Sequence, residues 1–285
     1  MLKSLMALCL IFAVQANANV KADEAEAAYA LRDFNEMGIK NVNEAIKLFD
    51  EAITLEADTF QKKVLTHRKS EAFYFLGTAL DKKKERMAAH QEAMDISDVL
   101  MTGFGVDAEK AHELSDTQIA DLLNTLNDDE ELLLAEVFYA KGINLGQWGQ
   151  LNGIASSIGR LPIVLGLMDR IEKLGHEDIN YYGPVRTVGR ANFVLPKIFG
   201  GDLDKSETLL KRAYKETLVP GKKYSVNGYN NLYLAETMYK RGKETQAIKL
   251  LETFVAADPS TLAEGNEPEN KEALRTAQER LDDWK

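Results

Sequence analysis

An all-α fold, a solenoid of stacked helical hairpins, is predicted by three features of this 285-residue chain. Apolar and small residues recur every three or four positions, Gly, Pro and Asn punctuate those runs, and one fixed step separates matched positions in successive runs. The best-marked run is YYGPVRTVGRANFVLPKIFGGDLDKSETLLKRAYKETLVP, Tyr181 to Pro220. Val185, Val188, Asn192 and Leu195 share one helical stripe, Pro196 and Gly200-Gly201 stop that helix, and Asp202 offers an oxygen to cap the next. In the second helix Ser206, Leu210 and Ala213 present a small-large-small stripe to the first. A hairpin of this size cannot bury its stripe alone, so neighbouring copies are needed.

Those copies are visible along the chain. A helix is expected from Asp23 to Glu36, then a turn at Gly38 and Asn41, then a helix from Asn43 to Glu56 with Ala45, Phe49 and Ala52 in the same small-large-small order. Phe73, Leu76, Gly77 and Leu80 match the first-helix pattern of a tetratricopeptide repeat, in which Gly admits a close neighbour, and Ala89, Ala93 and Ile96 fall in its second helix. The pairs Tyr29 and Ala45, Phe73 and Ala89, Arg190 and Ser206, and Asn231 and Ala247 all differ by 16 positions. The last unit closes with Pro259, as the repeat pattern expects. The copies are degenerate, with Arg190 and Asn231 where an aromatic is usual. A non-repetitive bundle of antiparallel helices is the alternative.

Between these units, Ser115 or Asp116 opens a short helix and Asp128 another, running to Leu145. From Gly142 to Met168 only Arg160 is charged, and Gly and Ser are frequent. Gln147, Gln150, Asn152 and Pro162 break its apolar runs, so it reads as a close-packed buried helix pair or as the lining of a cavity rather than a membrane span. A final acidic helix over 268–284 is expected to cap the stack.

The N-terminus carries a processing signal: Lys3, an apolar run from Leu5 to Val14, and Ala16-Asn17-Ala18 as a small-x-small cleavage site. Residues 1–18 are thus expected to be a cleaved signal peptide and 19–285 a single exported, periplasmic domain. Cys9 is the only cysteine and lies inside the apolar run, not at its end, so it offers neither a disulfide nor a lipid attachment point. The net charge of −10 argues against nucleic acid or an anionic membrane surface as principal partner.

Chemistry-bearing motifs are sparse. Gly200-Gly201-Asp202 lacks the Lys and Ser or Thr of a phosphate loop. His67, His90, His112 and His176 have no second His or Cys at metal-ligand spacing, and Ser156-Ser157 has no nucleophile elbow. Neither an enzyme nor a cofactor or metal site is expected. One constellation stands out: Tyr182, Arg186 and Arg190 repeat every four residues on one helix face, with Asn192 beside them. Two guanidiniums on one face suit a carboxylate or phosphate. The competing reading is that they pair with Asp202, Asp204 or Glu207 across the hairpin, or form an exposed stripe.

The YYG before the helix, the GGDLDKS that follows, the Leu-x-x-Ala stripe and the exported helical-repeat context resemble the T component of tripartite ATP-independent periplasmic (TRAP) transporters, a tetratricopeptide-like family. The resemblance is clearest over 181–220 and extends over 142–259. It implies an all-helical periplasmic protein that forms a symmetric homo-oligomer, a trimer, contacts the periplasmic substrate-binding subunit, and offers a hollow to a small carboxylate or hydrophobic ligand. Members are commonly lipoproteins, a feature this leader lacks, so membrane association is expected only through partners. The expected function is therefore a non-enzymatic binding and scaffold protein of such a transporter. A general periplasmic protein–protein interaction adaptor in envelope assembly is the alternative.

Overall fold

The computed structural model describes the backbone of residues 2–285 and the side chains of residues 15–153 and 156–285. The fold is all-α and built from helical hairpins, with twelve α-helices and three short 3-10 turns among the described residues. The chain divides into two compact units, Met1–Leu174 and Gly175–Lys285, and the domain expected over 19–285 extends over both.

The first unit opens with α1 (Leu2–Ala30) and α2 (Glu36–Leu55), packed as a hairpin. The expected cleavage point after Ala18 falls inside α1, and most of the leader, residues 1–14, lies outside the residues whose side chains are described. The turn sits at 31–35, earlier than the Gly38-Asn41 position expected. Asn35 sets it, because its side chain accepts from the Gly38 N–H at 2.9 Å and so opens α2 at Glu36. Gly38 is needed inside the helix: a Cβ there would lie 2.2 Å from the Asp33 backbone nitrogen.

α3 (Thr59–Ala79) and α4 (Lys83–Gly103) form the second hairpin, and α2 packs on α3. The small-large-small residues Ala45, Phe49 and Ala52 are fully buried, as is Ala93 on α4. Gly77 allows the close approach expected of it, since a Cβ would fall 2.4 Å from His90 Cε1. α5 (Asp116–Leu123) and α6 (Asp128–Asn152) each start at a capping box, Ser115 with Gln118 and Asn127 with Glu130. α6 packs on α4 and turns at Gly153, φ 100°, into α7 (Ile154–Lys173). The low-charge segment 142–168 is this hairpin. Gly142 meets Met168 and Gly149 meets Ser157, so the pair is tight, yet Gln150, Gly159 and Pro162 are exposed and it is not buried on all sides.

In the second unit α8 (Ile179–Val194) pairs with α9 (Leu203–Glu216), and α10 (Gly228–Lys240) with α11 (Glu244–Val255); α12 (Glu267–Trp284) packs on both α10 and α11. Asp202 caps α9 by accepting from the Asp204 and Lys205 N–H groups at 2.8 and 3.0 Å. Gly201 must be Gly, because a Cβ would sit 1.9 Å from the Leu195 carbonyl oxygen. Ser206, Leu210 and Ala213 are fully buried, and Leu210 fills the notch left by Gly189. α12 spans the residues expected of the final helix, with Pro268 in its first turn and Ala273, Ala277 and Leu281 turned into the core.

The four residue pairs 16 positions apart fall on hairpins α1/α2, α3/α4, α8/α9 and α10/α11. Each small second-helix member, Ala45, Ala89, Ser206 and Ala247, is buried at 6% exposure or less. A small residue there lets the helix axes approach, which explains why the step is preserved while the first member varies from Tyr to Arg to Asn.

Candidate functional site

α8 begins abnormally. Asn180, Tyr181 and Tyr182 all have left-handed backbones, with φ of 50°, 58° and 59°. Three consecutive non-glycine residues in that region cost roughly 1–2 kcal/mol each, so surrounding contacts must hold them. Arg186 and Asn230 supply those contacts. Arg186 Nη1 donates to the Asn180 and Tyr181 carbonyl oxygens, both at 3.2 Å, and to Asn230 Oδ1 at 3.1 Å. Asn230 Nδ2 donates to the Tyr181 carbonyl at 3.0 Å and to Thr217 Oγ1 at 2.9 Å. Arg186 is 9% exposed and Asn230 fully buried, so this is an interior clamp on a strained turn.

Arg190, one turn on, has a different setting. Its Nη1 donates to Glu236 Oε2 at 2.5 Å, and its guanidinium lies 4.2 Å from the Tyr233 ring centre and 4.5 Å from that of Phe193. Glu236 on α10 is 7% exposed and takes a second arginine on its other oxygen, from Arg280 Nε of α12 at 2.8 Å. Lys240 adds a third cation at this end, 4.5 Å over the Phe193 ring and bonded to the Phe193 carbonyl. Tyr229 completes the strip, its ring 5.4 Å from that of Tyr233, and burial pushes its phenol well above the usual tyrosine range. The helices α8, α10 and α12 thus carry a strip in which Arg190, Arg280 and Lys240 stand among aromatic rings around one buried carboxylate.

Of the residues singled out by sequence, only Arg190 belongs to this strip. Tyr182 lies on the left-handed turn, its ring 6.0 Å from the guanidinium of Arg212. Asn192 is buried, with its Nδ2 bonded to the Val188 carbonyl at 2.8 Å and its own carbonyl accepting from the Asp202 N–H. It shapes the end of α8. Arg190 takes Glu236 as its carboxylate rather than Asp202, Asp204 or Glu207. Glu207 is instead gripped by Lys243, at 2.6 and 2.8 Å, and by Arg241, which also holds Asp204. Burial alone pushes the Glu207 carboxyl up, but these cations outweigh it and hold it below the ordinary glutamate range. Glu236, Arg280 and Tyr233 escape a sequence reading because they stand 43 to 90 positions from Arg190. A usable signal existed in α10, where Tyr229, Tyr233, Glu236 and Lys240 mark one helical face.

The first unit holds a second polar cluster. His67 on α3 is 5% exposed, its Nε2 lies 3.7 Å from Glu136 Oε2 on α6, and its Nδ1 meets no hydrogen-bond partner. Burial, with Glu71 alongside, pushes the Glu136 carboxyl up to about 7, while burial pushes His67 below the ordinary histidine range. The nearest fixed cation, Arg68, is shared between Glu26 and Glu71. Among the described residues no three His, Cys, Asp or Glu side chains gather as a metal-holding group, and no helix is long and apolar enough to cross a membrane.

No protein-family model matches this chain, and no curated protein matches it.

Proposed function

We propose that this chain is an exported, non-enzymatic binding and scaffold protein of tetratricopeptide type, working in the periplasm as an accessory component of a TRAP-type solute transporter. Its hairpins continue as a solenoid, and it assembles as a homo-oligomer, the trimer that the family resemblance implies. Its working surface is the strip on α8, α10 and α12, where it meets a small carboxylate-bearing or hydrophobic ligand and the substrate-binding subunit.

The observation that carries this reading is the recurrence of one packing unit with a functionalised first-helix face. Four hairpins share the 16-position step. In each unit the second helix of one hairpin packs on the first helix of the next, as α2 does on α3 and α9 on α10. Stacking of that kind aligns first helices side by side and builds an extended surface, the usual working surface of repeat proteins. In the second unit that surface carries Arg190, Phe193, Tyr229, Tyr233 and Arg280, residue types enriched where proteins bind partners. Arg190 has one foot in both accounts: it holds the repeat's first-helix position and it faces the strip.

The test is binding of a TRAP substrate-binding subunit from the same organism to the immobilised chain. Capture is expected, and Phe193→Ala with Tyr233→Ala is expected to weaken it at least about tenfold, the loss of two aromatic anchors. Capture that is absent, or indifferent to both substitutions, contradicts the proposal.

A further inference from the structure

We infer that Arg190 and Arg280 form a two-arginine site for a carboxylate carried on an apolar or aromatic body, with Glu236 as the internal carboxylate that the ligand displaces from Arg190. This deepens the proposed function and rests on its assignment of the working surface to the α8–α10–α12 strip.

The geometry begins at Glu236. Its two oxygens are bonded by two guanidiniums arriving from opposite neighbours, Arg190 of α8 at 2.5 Å and Arg280 of α12 at 2.8 Å. Groups that grip the two oxygens of one carboxylate stand within the span of a second one. Glu236 meets two cations here, Lys240 on Phe193 adds a third, and Glu279 and Asp283 act on Arg280 from its own helix, so Arg190 is the less neutralised of the two arginines. Among the described residues Glu236 is the only carboxylate ion-paired to either arginine. Each spends one N–H-bearing nitrogen on it, Nη1 of Arg190 and Nε of Arg280, from a planar fork that carries five donors. Their side chains are 27% and 40% exposed while that of Glu236 is 8% exposed, so solvent meets the arginines first.

The walls define the rest of the ligand. Arg190 is held between the Phe193 and Tyr233 rings, which fixes its plane and reduces the freedom lost when it bonds a ligand. Tyr229 beside Tyr233 extends the aromatic surface past the arginine. An anion with an apolar body gains both the guanidinium contacts and this surface, whereas a bare inorganic anion gains only the first. Glu236 has a second role in this scheme. In the empty site it keeps both arginines in place, and when the ligand arrives it retains Arg280 and releases Arg190. The exchange makes binding weaker than two free arginines would give, and makes Glu236 an antagonist of the ligand.

The test is a titration of the full chain, followed by NMR, with benzoate, its neutral isostere benzamide, and inorganic phosphate as probes. Benzoate is expected to bind at least about tenfold more tightly than either comparator. Arg190→Ala and Arg280→Ala are each expected to weaken benzoate about tenfold or more, with Arg190→Lys restoring only part because lysine lacks the fork. Glu236→Gln is the decisive variant: it removes the competing charge and is expected to tighten benzoate about tenfold. Should the alanine variants misfold, Glu236→Gln still reads the site, since simple loss of structure lowers affinity rather than raising it. Benzamide or phosphate binding as well as benzoate, or Glu236→Gln leaving affinity unchanged or weaker, overturns the site. The scaffold reading is tested apart from this: capture of the substrate-binding subunit that persists while benzoate fails sinks the ligand site alone.

Discussion

Arg186 and Asn230 meet side chain to side chain at 3.1 Å, and both reach the Tyr181 carbonyl oxygen, so one left-handed turn is held from two helices at once. Arginine on the Tyr182-Arg186-Arg190 face is therefore divided in its duties: Arg186 holds the backbone, and Arg190 pairs with Glu236 on the α8–α10–α12 strip. Arg186→Ala strands buried acceptors and is expected to lower unfolding free energy by about 2–4 kcal/mol, each unsatisfied group costing roughly 1–3 kcal/mol. Denaturant titration reads this directly. Arg186→Lys is expected to recover part of this, because all three bonds leave one nitrogen, Nη1, and an ammonium also carries three donors but sits on a stem of different reach.

Asn180 supplies a sharper check on the strain itself. It is exposed and left-handed at φ 50°, a region Asn and Gly accept and β-branched residues do not. Asn180→Gly is expected to be neutral or stabilising by a few tenths of a kcal/mol, and Asn180→Val to cost about 1–2 kcal/mol. Equal thermal midpoints for the two variants would mean that the turn is not left-handed.

Gly77 and His90 test the close approach in the first unit. A Cβ at Gly77 falls 2.4 Å from the His90 ring, whose Nδ1 is fixed at 2.8 Å from Asn144 Oδ1. Gly77→Ala is expected to destabilise by about 1–3 kcal/mol through overpacking. His90→Ala in the same chain is expected to remove most of the Gly77→Ala increment, a coupling that a double-mutant cycle measures.

The His67–Glu136 pair gives the chain a pH dependence of defined sign. The folded Glu136 value of about 7 lies above its unfolded value near 4.5, so its stabilising contribution is complete below about 4.5 and is lost as pH rises through 7. His67 has the opposite sense: its folded value is depressed, so its contribution is present above its unfolded value of 6.5 and lost as pH falls through the folded one. Glu136→Gln mimics the protonated carboxyl. It is expected to match the parent in stability near pH 4 and to exceed it near pH 8, as read by thermal unfolding across that range. A parent and variant with parallel pH profiles would remove Glu136 from the account.

What the sequence made legible was the periodic part of the molecule. The buried second-helix stripe, Ala45, Phe49 and Ala52 in one hairpin and Ser206, Leu210 and Ala213 in another, is set by the 3.6-residue repeat, which is written locally in the chain. The Gly201 turn and the Asp202 cap are equally local. The start of α2 was misplaced because Gly38 reads as a turn residue, and only the approach of Asp33 shows that it is a helix residue needed for clearance. The site was half legible for a similar reason. One helix face shows that Arg186 and Arg190 are aligned, but whether each turns to a carbonyl or a carboxylate depends on Asn230, Glu236 and Arg280, which tertiary packing alone brings beside them. Asn231 illustrates the same limit: in place of an aromatic it bonds the Ser225 N–H and carbonyl and the Asn227 carbonyl, fixing the loop before α10.

Native mass spectrometry of the full chain, alone and with a TRAP substrate-binding subunit, decides the proposed role. An oligomer that retains a small carboxylate and takes up the subunit is expected, with the retained mass lost in Arg190→Ala. A monomer that carries no small molecule and does not associate with the subunit would contradict it.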